Sequence, residues 1–102
     1  MRPPLDKLVP ELQRQARAAQ ERFAEVEFNP AIVRNKMSDA AKLGHRALRL
    51  RVPVHLDLRK TDAAAALQAW CKENELTFEW MSREADLPDG RRGTVWEPEI
   101  SW

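Results

Sequence analysis

The side chains that could perform nucleophilic or metal chemistry in this sequence are Cys71, His45 and His55. A thiolate beside an imidazole base can attack a carbonyl, and the same side chains can bind a metal ion. However, they lack the short intervals that metal sites use. Cys71 also follows Trp70 on the apolar side of a predicted helix, where a small buried thiol is common. We therefore expect no catalytic residue, no metal site and no cofactor.

Two other stretches could carry chemistry but lack the context for it. His55 and Asp57 would share one strand face, yet a general base needs a pocket that a flat sheet face does not offer. The segment Asp89-Gly90-Arg91-Arg92-Gly93 contains two glycines, but no helix follows to bind a phosphate group. The sequence predicts a protein that is not an enzyme.

A basic region is the main binding signal. Residues 34–60 hold eight Lys/Arg and two Asp/Glu, and part of this region is a predicted strand whose polar face would display arginines. Such a face can contact acidic protein surfaces or phosphates. The predicted partner-binding residues, on this face, at its ends and on a later loop, are Arg46, Arg49, Arg51, His55, Arg59, Lys60, Arg91 and Arg92.

The class of partner follows from what accompanies these arginines. No exposed aromatic residue alternates with them to stack on bases, and the sequence pI of about 7.9 is modest for a nucleic-acid-binding domain. These features favour a protein partner. A small nucleic-acid-binding module that uses the same residues is the alternative. A basic face that is only solvated, with no partner, is the interpretation without a binding role.

Two helices are predicted before any strand. The first covers Val9 to Val26 and carries an apolar stripe with the helical spacings 4, 3, 4 and 3, made of Leu12, Ala16, Ala19, Phe23 and Val26. We expect this stripe to pack on the domain's own core, because coiled coils usually need three or more heptads. Pairing with a second copy of the chain to form a homodimer is the alternative. Asn29-Pro30 predicts the start of a second helix that ends before Gly44.

The remainder alternates between strands and one helix. Apolar residues at every second position from Leu48 to Leu58 predict a first strand of about eleven residues. A helix over Ala63–Asn74, a strand over Leu76–Trp80, a hairpin loop over residues 82–93 and a strand over Thr94–Trp102 follow. In the last strand, Glu97 falls on the solvent side. Trp102 falls on the apolar side with Ile100, and we expect it to be buried in the core.

These elements predict an α+β fold: two N-terminal helices, then β-α-β-β, with helices on one face of a three-stranded mixed sheet. The first two strands flank a crossover helix and should therefore be parallel. Pro53 and Pro98 cannot donate to a ladder, so the first and third strands are expected at the edges and the second strand in the centre.

Length and composition suit one small soluble domain over residues 1–102, with residues 1–8 as a flexible start. Hydrophobic residues make up 43% and charged residues 32% of the chain, and no apolar run is long enough to cross a bilayer. The N-terminus lacks the apolar core of a signal peptide, and one cysteine excludes an intrachain disulfide. We expect a reducing, cytoplasmic setting and no membrane contact.

One order of motifs resembles a known group of proteins. It runs from Ala40-Ala41-Lys42-Leu43-Gly44 through the alternating strand, Leu67 and Trp70 to Leu76-Thr77-Phe78-Glu79-Trp80, a glycine loop and Ile100-Ser101-Trp102. Over residues 30–102 this resembles small proteins encoded by tailed bacteriophages. The resemblance implies a phage accessory protein that acts through protein contacts, either on host machinery in the cytoplasm or in the virion. It implies no catalytic residues.

Overall fold

The computed structural model describes residues 5–102, and the side chains of residues 7–102. In this part of the chain it has three helices and one three-stranded sheet. The elements are α1 (Leu5–Glu27), α2 (Pro30–Lys42), β1 (Ala47–Arg49), α3 (Asp62–Glu73), β2 (Thr77–Asp86) and β3 (Arg92–Ser101). The predicted α+β class is confirmed. The sequence predicts a flexible start over residues 1–8. Residues 1–4 of this stretch lie outside the described part, and α1 begins at Leu5.

The helix boundaries of α2 and α3 follow from local capping chemistry. The Asn29 side chain accepts a hydrogen bond from the Ala31 N–H at 2.9 Å, and the Thr61 hydroxyl accepts one from the Ala64 N–H at 3.2 Å. Pro30 fills the first position of α2, where its missing N–H costs nothing. Gly44, with φ of 89°, follows the C-cap residue of α2 in the left-handed conformation that ends many helices.

The sheet differs from the prediction in direction and in order. Its strands lie in the order β1-β3-β2, and both pairs are antiparallel. The expected parallel pair and the central second strand are therefore wrong. Pro98 is tolerated in the central strand because its nitrogen faces β1 where that strand ends, and its carbonyl still accepts from the Leu50 N–H at 2.9 Å.

The predicted long first strand is also wrong in extent, because only Ala47–Arg49 pairs with the sheet. Beyond Leu50 the chain continues as an irregular segment, residues 50–58, with a turn in which the Leu56 N–H donates to the Pro53 carbonyl. Its alternating apolar residues are still used for packing. Leu50, Val52 and Leu58 are buried in the core, so the alternation reported burial rather than strand pairing.

The hairpin of β2 and β3 is longer than predicted. Ten residues of each strand pair continuously from Thr77↔Ser101 to Asp86↔Arg92. The predicted loop over residues 82–93 is therefore wrong in its bounds, since only residues 87–91 lie between the strands. Gly90 takes φ of 86° in this turn, a conformation that glycine adopts without steric cost.

The core lies where the helices and the irregular segment 50–58 pack on the sheet. Phe28 at the end of α1 meets Trp80 edge to face, with ring centroids 6.2 Å apart, and Leu67 and Ile100 are fully buried. Trp102 differs from its prediction. Its side chain is 37% exposed. It lies just beyond β3, where its backbone N–H donates to the Arg46 carbonyl at 3.0 Å. Within residues 5–102, no helix is both long and apolar enough to cross a membrane.

Candidate functional site

Cys71 lies in the core rather than in a cleft. Its side chain is fully buried on α3, and desolvation raises the pKa of its thiol. His45 and His55 are both exposed on other segments. Among residues 7–102, no group of three or more His, Cys, Asp or Glu side chains could hold a metal ion. Within the part of the chain whose side chains are described, neither histidine is therefore placed in the core beside the thiol.

The predicted basic residues near β1 do not form one basic face. Arg49 is the one member that lies in β1, and its guanidinium is 3.3 Å from the Glu99 carboxylate on β3. Glu99 is also paired in register with Glu79 on β2. Because these three side chains project from the same face of the sheet, that face carries mixed charge around Arg49.

Three other predicted arginines are held by neighbouring aspartates. Arg59 donates to Asp57 through two nitrogens, at 3.0 and 2.7 Å. Arg91 donates to Asp89 at 2.6 Å, and Arg92 lies 3.8 Å from Asp86. The side-chain hydrogen bonds from Arg59 and Arg91 lower the pKa of Asp57 and of Asp89. These pairs neutralise much of the positive charge that the sequence predicted for binding.

The members outside these pairs are Arg46, Arg51, His55 and Lys60, all exposed. Arg91 and Arg92 lie at the far end of the hairpin. Arg92 and Glu99 are seven positions apart on β3, which is about 23 Å at the rise of a strand. The arginines at the hairpin tip therefore lie far from those beside β1. The structure therefore divides the predicted contact residues into separate surface regions.

Arg59 is placed more firmly than an ordinary surface arginine. Its guanidinium lies 4.5 Å from the centre of the Trp96 ring, in cation–π contact, while Asp57 holds it from the side. Lys60 and Asp57 also line a cleft of about 350 Å³ against the residues of α1 that include Arg17 and Glu21. Glu21 closes part of this cleft by accepting the Asp62 N–H at the start of α3, at 2.8 Å.

A buried ion pair, which the sequence did not predict, holds the irregular segment 50–58. Glu97 is 1% exposed, accepts from Arg83 Nε at 3.0 Å and accepts from the Val52 N–H at 2.9 Å. Arg83 in turn donates to the Val52 carbonyl at 3.3 Å. Both backbone groups of Val52 are thus satisfied by side chains, which replace the ladder that a longer β1 would have provided.

The placement of Glu97 on the solvent side of its strand is therefore wrong. Desolvation acts to raise the pKa of Glu97, but the hydrogen bonds from Val52 and Arg83, with the charges of Arg83 and Arg51, outweigh it and leave the pKa lowered. The carboxylate stays ionised inside the fold. Its partners are used within the domain, so this pair acts structurally rather than in binding.

The apolar stripe of α1 faces solvent, which is the most unusual feature of the surface. Val9, Leu12 and Val26 are 58%, 52% and 60% exposed, and Ala16 and Ala19 between them are exposed as well. Their 3- and 4-residue spacing places them on one side of the helix. Phe23 is the one stripe member that is half-buried against the core.

A different side of α1 anchors it to the domain. Ala24 and Phe28 are buried, and they lie roughly 120–160° round the helix from Leu12. Every residue from 12 to 19 is exposed, so this part of α1 packs little against the rest of the domain. Leucine, alanine, arginine and glutamine there are strong helix formers, which explains how the helix persists without burial.

The two interpretations of the stripe can now be compared. Packing on the domain's own core, which the sequence favours, is wrong for most of the stripe, because the core takes Ala24 and Phe28 instead. The face formed by Val9, Leu12, Ala16, Ala19 and Val26, called the α1 face below, is exposed. No protein-family model, curated protein or solved structure matches this chain.

Proposed function

We propose that this protein acts by binding another protein, without chemistry of its own, and that the α1 face is its principal contact surface. The observation that carries the proposal is the exposure of Leu12 and Val26 on one side of a helix whose other side is anchored by Phe28. A helix that presents apolar residues at 3- and 4-residue spacing can bind in a groove or against another helix. A second copy of the chain is one partner that this face can accept.

The exposed basic residues would add to such a contact at its edge. Arg46, Arg51 and Lys60 are exposed and make no ion pair among residues 7–102. Charges of this kind set encounter rate and selectivity more than affinity, and they favour an acidic partner surface. The proposed setting, a phage accessory protein in the host cytoplasm or in the virion, rests on the resemblance of residues 30–102 to phage-encoded proteins.

A photo-crosslinking pair tests the role of the α1 face. A photoreactive residue replaces Leu12 in one variant and Arg14, on the opposite side of α1, in the control. Each purified variant is irradiated alone and in a cell lysate, and the adduct masses are measured. We expect discrete adducts from position 12 and few from position 14. Equal labelling at both positions, or no discrete adduct at either, would contradict the proposal.

The nucleic-acid alternative uses the same basic residues and predicts a different result. Among residues 7–102, Arg59 over Trp96 is the one arginine–aromatic stack, and it is the feature that favours this alternative. Binding of single- and double-stranded DNA and RNA should be measured while salt is lowered, because phosphate contacts strengthen steeply at low ionic strength. We expect no binding even at low salt. Binding that weakens with salt and is lost in Arg51→Glu would replace the protein-binding proposal.

A further inference from the structure

We infer that the α1 face pairs with the α1 face of a second copy of this chain, in an antiparallel arrangement. The inference rests on the proposed function, because it names the partner of the same face. Six apolar positions follow one another along the helix at intervals of 3 and 4: Val9, Leu12, Ala16, Ala19, Phe23 and Val26. That is the repeat of a two-stranded coiled-coil seam, in which each apolar residue packs into the facing helix.

The sizes of these residues are symmetric about the centre of the stripe. When a second helix is laid antiparallel with Ala16 facing Ala19 of the other copy, Val9 faces Val26, and Leu12 faces the part of Phe23 that the domain's own core leaves exposed. Large residues then meet large ones at both ends, while the alanines at the middle allow the two helices to approach closely. One two-fold axis generates all six contacts, as an isologous dimer requires.

Charge complementarity favours this direction over a parallel pair. Beside the seam, the antiparallel register brings Glu11 of each copy close to Arg22 of the other, twice per dimer. Among residues 7–102 neither side chain has an ion-pair partner. A parallel pair would instead direct Arg22 toward Glu27, which already lies 3.7 Å from Lys36 within the domain.

The fold leaves room for the second helix. Residues 12–19 are exposed throughout. The body of the domain contacts α1 at Glu21, Ala24 and Phe28, on another side of the helix, and reaches the stripe itself at the half-buried Phe23. In an antiparallel pair the two bodies lie at opposite ends of the seam. The half of α1 that receives little support in one copy would therefore pack beside the anchored half in the other.

Disulfide trapping tests both the pairing and its direction. Chains carrying Val9→Cys and Val26→Cys are prepared separately, and the native Cys71 is buried. The two positions are about 26 Å apart along one helix, whereas a disulfide needs Cα atoms within about 7 Å. We expect a mixture of the two chains to form a mixed disulfide dimer under mild oxidation and each chain alone to remain largely uncrosslinked. Crosslinking of Val9→Cys with itself would overturn the antiparallel direction, and absence of any dimer would overturn the pairing.

Sedimentation equilibrium provides a second test that needs no cysteine. Leu12→Glu should weaken dimerisation by on the order of a hundredfold, whereas Arg14→Glu, on the opposite side, should leave it unchanged. Glu11→Arg should weaken it about fivefold, and Glu11→Arg with Arg22→Glu should restore it. A monomer at every concentration overturns this inference. If position 12 still crosslinks a different protein, the proposed function survives, whereas no adduct at all ends both.

Discussion

The first half of α1 and the hairpin of β2 and β3 place apolar and charged side chains in opposite ways. In α1, Leu12 and Val9 remain more than half exposed. In the hairpin, Glu97 is almost completely buried and Arg83 is largely covered. A small domain normally buries the former and exposes the latter. The hairpin charges have partners inside the fold, whereas Val9 and Leu12 remain largely uncovered by residues 7–102, and this difference supports the proposal that the α1 face is a binding surface.

The two regions also differ in what removing a side chain should do. Deleting a buried side chain that hydrogen-bonds other buried groups should lower the free energy of unfolding. Deleting an exposed apolar side chain should change stability only when a binding partner is present. Three of the four stability predictions below compare a change in the body of the domain with a matched change at a more exposed position.

The largest expected effect is at the anchored end of α1. Phe28→Ala removes a fully buried ring that packs edge to face on Trp80, and we expect the free energy of unfolding to fall by about 3–5 kcal/mol. Leu12→Ala on the same helix should change it by less than about 0.5 kcal/mol at a concentration where the chain is monomeric. Urea denaturation followed by circular dichroism measures both. Similar losses for the two variants would mean that the α1 face is part of the core.

The next effect is at the buried ion pair. Glu97→Ala leaves Arg83 and the Val52 N–H without their partner and should destabilise the fold by about 3 kcal/mol. Glu99→Ala removes the Arg49 pair two residues away on the same strand. Because that pair is partly exposed to water, its loss should cost less than about 1 kcal/mol. Urea unfolding of both variants tests the difference, and equal losses would refute the role given to Glu97.

A smaller effect should appear as a dependence on pH. The lowered pKa of Glu97 means that its carboxylate stabilises the folded state at neutral pH. This contribution should be lost as the pH falls through the ordinary glutamate value of about 4.3 toward the lowered value. The free energy of unfolding of Glu97→Gln should therefore decrease less steeply between about pH 6 and about pH 3. The pKa values of Asp57 and Asp89 are also lowered, so part of the pH dependence of stability should remain in the variant. An unchanged slope would contradict this assignment.

The smallest of these effects on stability is at the last residue. Trp102 was predicted to be a core residue, but it is 37% exposed, whereas Ile100 is fully buried. Trp102→Ala should therefore cost about 1 kcal/mol, and Ile100→Ala at least about 2 kcal/mol. Thermal unfolding of the two variants checks the order. A larger loss of stability for Trp102→Ala than for Ile100→Ala would mean that the Trp102 ring is part of the core.

The parts of the fold that the sequence predicts well are those governed by local chemistry. Asn29-Pro30 and Gly44 mark α2, and Thr61 caps α3, because caps and turns depend on residues a few positions apart. The alternation from Leu48 to Leu58 predicts burial correctly, but alternation alone carries no information on strand partners. The strand order was wrong because Pro98 can occupy a central strand where its neighbour ends.

The candidate site was less predictable than the fold. Helical spacing identifies the apolar side of α1, but it does not say whether that side meets the domain or solvent, which depends on the angle at which α1 leaves Phe28. Glu97 gave no local signal, because its partners Val52 and Arg83 lie 45 and 14 residues away. The arginines are visible in the sequence as a basic region, but Arg59 and Arg91 form ion pairs with aspartates, which reduces the net positive charge of the surface.

Amide hydrogen exchange at two protein concentrations tests the central claim most directly, because it reads both regions in one experiment. Over a roughly hundredfold range of concentration, exchange in residues 7–26 of α1 should slow as the second helix packs on it, while exchange in β2 and β3 stays unchanged. Leu12→Glu should abolish the dependence, and Arg14→Glu should preserve it. Exchange in α1 that is independent of concentration would contradict the claim that this face pairs with a second copy.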